Sequence, residues 1–196
     1  MNFFSQKPFE QAFFIRSNIS PEAVDFLCKD IQTVSQGTAR AAQVLVEEGG
    51  SAVAPQIRQN TISDVPLSFW GSLIMQGAVV AANQRHFNYE LTDWTDYIQF
   101  LEYKEGDHYK TWHTDQTYGA LTGELRKLTV ILGLSNPEDY EGGEFCYYID
   151  GGHSNRFKLQ KGEIAVFPSA LKHRVCRVKS GVRKTLIGWY GGPPFK

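Results

Sequence analysis

A chain of 196 residues, 42% of them hydrophobic and 13% aromatic, can bury the core of one domain, and this composition excludes a disordered or fibrous protein. A formal net charge of -1 gives no general attraction for nucleic acid or an anionic membrane, and neither partner is expected. Three cysteines, Cys28, Cys146 and Cys176, are odd in number and far apart in sequence, which argues against a disulfide framework and a thiolate zinc site and for a reducing compartment.

The stretch "MNFFSQKPFEQAFF" lacks the basic start and continuous apolar run of a signal peptide, and no apolar run has the length of a membrane span. A cytoplasmic protein is expected. The whole chain, 1–196, reads as one domain, with helical support over about 18–90 and a β-rich core over about 95–191. In "SPEAVDFLCKDI", Ser20 is a helix N-cap, Pro21 sits in the first turn, and Val24, Leu27, Cys28 and Ile31 form one apolar stripe. The tract from Ser35 to Asn60 is rich in Gly, Ala, Ser and Gln and reads as a long loop, a candidate lid. A second helix is predicted from about Leu67 to Arg85, with Trp70, Leu73, Ile74, Gly77, Ala78 and Ala81 on its buried face.

After Asn88 the pattern changes to short β-branched and aromatic runs separated by turn residues, as in an all-β barrel or sandwich. The strands are "DYIQFLEY", "YKTWHTD", "RKLTVILGLS", "GEFCYYID", "RFKLQ", "EIAVFPS", "HRVCRV" and "KTLIGWY", with a hairpin turn at Asp150–Gly152.

The densest polar chemistry lies in "YKEGDHYKTWHTD", Tyr103 to Asp115. On an extended strand His113 and Asp115, two apart, point to the same face. Such a pair arises by chance in a chain with five histidines, so a metal site needs a third ligand, and His173 at the head of "HRVCRV" supplies one. Two imidazoles and one carboxylate on one face of an octahedron suit non-haem Fe(II) and leave three positions open. An oxo acid chelating that ion would need a cation for its distal carboxylate. Arg183, ten residues after His173, can bind a carboxylate through two parallel hydrogen bonds, which Lys184 cannot. Alternation sets Arg183, Thr185, Ile187 and Trp189 on one strand face and Lys184, Leu186 and Gly188 on the other.

Several residues read as structural instead. His108 and His153 are assigned to the surface, His86 to a helix end, Trp112 to core packing, and Glu102, Glu105 and Asp107 to a solvated rim. Tyr147 and Tyr148 should point to opposite faces.

The ordered set Tyr103, Gly106, Tyr109, "HTD" at 113–115, "GGEF" at 142–145, "VFPS" at 166–169, "HRV" at 173–175 and "GVRKTLIGW" at 181–189 resembles the prolyl 4-hydroxylase group of Fe(II)- and 2-oxoglutarate-dependent dioxygenases. The likeness runs from about Ile57 to Tyr190. It departs from the pattern at Tyr109, four residues before His113 where three is commoner, and at Arg177, where a proline is often found.

The resemblance implies a mainly β fold with flanking helices around a double-stranded β-helix, a jelly-roll of the cupin kind. It implies Fe(2+) held by His113, Asp115 and His173, with O2 and 2-oxoglutarate as cosubstrates and ascorbate as an optional reductant. Arg183 would then bind the distal carboxylate, Tyr103 and Thr185 would hydrogen-bond the cosubstrate, and Trp189 would line the pocket. A prolyl residue in a peptide or protein is the implied substrate. Free amino acids and nucleic acids are the alternatives within the family, and a ligand-binding barrel without catalysis or a zinc hydrolase are the alternatives outside it. A zinc hydrolase would leave Arg183 without a use.

Overall fold

The computed structural model describes residues 14–17, 19–45, 50–149 and 153–195. In chain order the elements are β1 (Phe14–Ser17), α1 (Pro21–Val34), β2 (Arg40–Ala41), β3 (Val44–Leu45), β4 (Ser51–Ala52), β5 (Arg58–Gln59), β6 (Thr61–Val65), α2 (Trp70–Ala82), β7 (Ile98–Tyr103), β8 (His108–His113), β9 (Leu125–Gly133), β10 (Tyr140–Gly142), β11 (Phe145–Ile149), β12 (His153–Phe157), β13 (Glu163–Pro168), β14 (His173–Val175), β15 (Val178–Gly181) and β16 (Arg183–Gly192).

Helix α1 starts as its sequence directs: the Ser20 hydroxyl accepts a hydrogen bond from the Ala23 N–H at 3.3 Å, and Val24, Leu27 and Ile31 are buried. Helix α2 lies in the predicted span, but its face is rotated. Gly71, Ser72, Met75, Ala78, Val79 and Ala82 are buried, whereas Trp70 and Leu73 are exposed. "WGSLIMQGAVVAA" is apolar nearly all round, so its periodicity could not choose the inner face. A single π-helical turn, Asn83–Phe87, extends it, and His86 is exposed there as expected.

A seven-stranded antiparallel sheet runs β1-β13-β9-β16-β7-β6-β2, and a five-stranded one runs β12-β11-β14-β8-β5. Both helices pack on the outer face of the larger sheet, where Val24, Leu27, Ile31, Met75 and Val79 meet Leu128, Val130, Leu132, Ile164 and Leu186. The inner faces meet in a second core: Ile62, Leu101, Ile131, Phe167 and Ile187 from the larger sheet, against Phe145, Tyr147 and Val175 from the smaller. This is the expected mainly β architecture, a double-stranded β-helix with helices on one side.

Three expectations change. The tract from Ser35 to Asn60 is not a bare loop: β2 closes the edge of the larger sheet on β6, β5 closes the edge of the smaller on β8, and β3 pairs with β4. "HRVCRV" splits into β14 and β15, because the chain leaves the smaller sheet after Val175 and β15 pairs with β10. "YKTWHTD" ends as a strand at His113, which puts Asp115 in the following loop. β11 and β12 pair as a hairpin, Ile149 opposite His153, while the expected turn Asp150–Gly152 lies outside the described residues.

Candidate metal and cosubstrate site

His113 ends β8 and His173 begins β14, and the two are register partners across the smaller sheet. Asp115 reaches them from its loop because its N–H donates to the Ser169 carbonyl at 2.8 Å. The His113 and His173 Nε2 atoms lie 3.7 and 3.6 Å from the two Asp115 carboxylate oxygens. One ligand atom from each residue falls within 4.8 Å of the others, the only such group of three or more His, Cys, Asp or Glu among the described residues.

Each imidazole is oriented by a main-chain carbonyl two residues upstream. His113 Nδ1 is 3.0 Å from the Thr111 carbonyl and His173 Nδ1 is 2.8 Å from the Leu171 carbonyl, so Nδ1 carries the proton and Nε2 offers its lone pair to the shared centre. Aromatic rings clamp both. Tyr109 stacks on His113 at 3.7 Å between centroids, and Phe145 stacks on His173 at 5.0 Å. Burial and the adjacent His173 push the His113 pKa down to about 4, which keeps that ring neutral at neutral pH. Burial alone would raise the Asp115 pKa, but the neighbouring His173 and His113 and the hydrogen bond from Thr129 outweigh it, and the carboxyl lies below its usual range. The Thr129 hydroxyl donates to Asp115 at 3.0 Å and also contacts the Ser169 hydroxyl at 3.0 Å. Two imidazoles and one carboxylate, converging on one centre, form a donor set suited to Fe(II).

Opposite them, on the inner face of the larger sheet, Tyr103 ends β7 directly across from Arg183 on β16. Arg183 is 6% exposed, yet it forms no ion pair with a described residue. Its guanidinium stands over the Tyr103 ring at 5.3 Å and touches Tyr140. A buried cation without a counter-charge is costly, so this position calls for an anionic ligand. The Thr185 hydroxyl, two residues on, is buried without a hydrogen-bond partner among the described residues. His113, Asp115, His173, Tyr103, Arg183, Thr185 and Trp189 all line one cleft. Lys184 points the other way, 3.7 Å from Glu102.

Sequence reasoning missed several contributors. Arg58 of β5 lines the same cleft with its guanidinium over Tyr109 at 4.8 Å. Tyr140 meets Arg183 from a remote strand, and Arg126, paired with Asp96 at 2.8 Å, stacks on Trp189 at 4.2 Å. None carries a local signal except Arg58, an isolated cation in an otherwise neutral tract. Three structural readings also change. His108 is partly buried at the edge where β8 meets β5. Asp107 is buried and caps its own turn through the Lys104 N–H at 2.9 Å. Trp112 packs with Tyr148 and Arg174 on the face of the smaller sheet opposite the inner core. The His153 side chain lies outside the described residues.

Residues 98–191 match the model of the 2OG-Fe(II) oxygenase superfamily. A PKHD-type hydroxylase of Crocosphaera subtropica is 34% identical over 122 residues, 59% of this chain and 53% of its own length. Another, from Prochlorococcus marinus, is 36% identical over 92 residues, 47% of this chain and 40% of its own length. The chain thus spans about half the length of these curated relatives, or less. Among solved structures, a Pseudomonas putida prolyl-4-hydroxylase superposes with a TM-score of 0.69 at 17% identity, covering 94% of both chains. A Trichoplax adhaerens prolyl hydroxylase in complex with a hypoxia inducible factor peptide fragment gives 0.71 at 19% identity, covering 92% of this chain and 84% of that one. With a donor set suited to iron and a buried cation opposite it, the chain is similar over residues 98–191 to the 2OG-Fe(II) oxygenase superfamily and shares the fold of these prolyl hydroxylases.

Proposed function

We propose that the protein is an Fe(II)- and 2-oxoglutarate-dependent dioxygenase that hydroxylates a prolyl residue in a peptide or protein. The observation that carries this reading is the juxtaposition, in one cleft, of the His113, Asp115 and His173 donors with a buried, unpaired Arg183 and an unsatisfied Thr185 hydroxyl. The three donors hold the iron. Arg183 takes the distal carboxylate of 2-oxoglutarate through charge-assisted hydrogen bonds, with Tyr103 and Thr185 donating to the same molecule and Trp189 walling the pocket. Bound iron supplies the coupling of O2 reduction to oxidative decarboxylation, which turns 2-oxoglutarate into succinate and CO2 and places one oxygen atom on the substrate. The chain itself keeps the His113 imidazole neutral, fixes the cosubstrate's charged end and lines the cleft with apolar side chains that limit water.

The names of the relatives and of the structural neighbours support a prolyl substrate presented by a peptide. Among the described residues no helix is long and apolar enough to cross a membrane. The odd number of cysteines, without a disulfide framework's spacing, supports a reducing, cytoplasmic setting.

The test is succinate release with Fe(II), 2-oxoglutarate and ascorbate across proline peptides, free amino acids and oligonucleotides. Release that rises only with proline peptides, with a matching oxygen-atom mass gain on proline, is expected. A mass gain on a free amino acid or nucleic acid would move the substrate class. No decarboxylation with any of them would leave a ligand-binding barrel.

A further inference from the structure

The outer face of the smaller sheet carries chemistry that the oxygenase reading does not use. Cys146 on β11 is the register partner of Arg174, and Cys176 lies two residues beyond Arg174. Gly142 and Gly143, with φ of 74° and 64°, draw the chain before β11 against this segment: the Gly143 N–H donates to the Arg177 carbonyl at 3.1 Å and the Cys176 N–H to the Glu144 carbonyl at 2.9 Å. The two sulfurs, thirty residues apart in sequence, are thereby 2.8 Å apart. A disulfide bond of about 2.05 Å is less than an ångström shorter. No third ligand joins them, since the only metal-competent group among the described residues is the triad, so a metal does not explain the pair.

We propose that Cys146 and Cys176 form a dithiol modification site that a small hydroperoxide converts to a reversible intramolecular disulfide. Only 5% of Cys146 is exposed and Cys176 is partly buried, which favours a reagent the size of hydrogen peroxide over a bulky disulfide. The two sulfurs are unlike. A hydrogen bond from Cys176 and the neighbouring Arg174 bring the Cys146 pKa down to about 6 despite burial, whereas Cys176 is pushed up and keeps its proton.

Cys146 thiolate attacks one peroxide oxygen: an S–O bond forms, the O–O bond breaks, and hydroxide leaves, to be protonated to water. The Cys176 sulfur then attacks the Cys146 sulfenic acid, the S–S bond forms, the S–O bond breaks, and the departing hydroxide leaves as water with the Cys176 proton. Two thiols lose two electrons and one peroxide gains them. The inference is independent of the iron chemistry.

The test treats the full chain, freed of metal by a chelator, with hydrogen peroxide at neutral pH and follows intact mass, peptide mapping and thiol alkylation. Expected are loss of two hydrogens, a bridge mapped between the Cys146 and Cys176 peptides, and recovery with dithiothreitol. The rate should rise through about pH 6 as Cys146 ionises. Cys28→Ser should behave as the parent, and Cys176→Ser should stop at a sulfenic acid on Cys146 that dimedone traps. A bridge involving Cys28, an intermolecular disulfide, or oxidation of Cys146 to sulfinic acid while Cys176 stays free would overturn the proposal. Mapping of the parent chain decides this alone should a variant fail to fold.

Discussion

The two sheets of the barrel contribute different halves of one site. The smaller sheet and its adjoining loop bring the candidate metal donors, His113, Asp115 and His173, while the larger sheet brings the candidate cosubstrate residues, Tyr103, Arg183, Thr185 and Trp189. The sheets also differ in support. β16 is ten residues long, lies between β7 and β9, and carries helices on its outer face, whereas β14 is three residues long and no helix among the described residues covers its outer face. Iron binding and cosubstrate binding should therefore fail separately when one sheet is altered at a time.

The largest effect is expected from the smaller sheet's loop. Asp115→Ala should abolish 2-oxoglutarate decarboxylation and cripple Fe(II) binding, with the fold retained because Asp115 belongs to no strand. Calorimetric iron titration and circular dichroism read both, and wild-type iron affinity in this variant would undo the division between sheets. On the larger sheet, Arg183→Gln should weaken 2-oxoglutarate by about 2–5 kcal/mol, the scale of a broken buried charge pair. At about 1.4 kcal/mol per tenfold this is roughly thirty-fold to several-thousand-fold, seen in anaerobic titration with Fe(II). Iron affinity should not change; a parallel loss of it would mean that Arg183 serves the metal half.

Leu186, fully buried against the helices, tests the support itself. Leu186→Ala should cost about 2–5 kcal/mol of stability through lost contacts and a cavity. Activity per folded molecule should persist at low temperature, and chemical denaturation paired with an assay distinguishes this from direct damage to the site. The smallest effect belongs to Lys184→Gln. Its side chain is 35% exposed and 3.7 Å from Glu102, so removing the charge should change 2-oxoglutarate affinity by about 1 kcal/mol or less. A loss rivaling that of Arg183→Gln would place the wrong face of β16 inward.

Local rules made much of this readable. Strand alternation sorted Arg183 from Lys184, and the order of motifs picked His113, Asp115 and His173 from a chain with five histidines. The same rules failed where contacts decide. The inner face of α2 was unreadable because both its faces are apolar, and β2 and β5, two residues each, exist only through pairing with β6 and β8. Asp115 reached the site although the strand expected to aim it ends at His113; the Ser169 carbonyl holds it instead. Distance in sequence hid the contact between Cys146 and Cys176, and likewise Tyr140 beside Arg183.

Both candidate ligand histidines donate a hydrogen bond from Nδ1 to a main-chain carbonyl two residues upstream, that of Thr111 or of Leu171. A carboxylate or amide in that role could be lost by one codon change, but a carbonyl oxygen belongs to every residue type. Side-chain replacement at Thr111 or Leu171 should therefore leave the imidazole tautomers untouched, provided that the chain keeps its path. The ring orientation is in this sense inherited from the backbone, and drift at these two positions should be tolerated further than at Asp115, whose proposed role rests on the side chain alone.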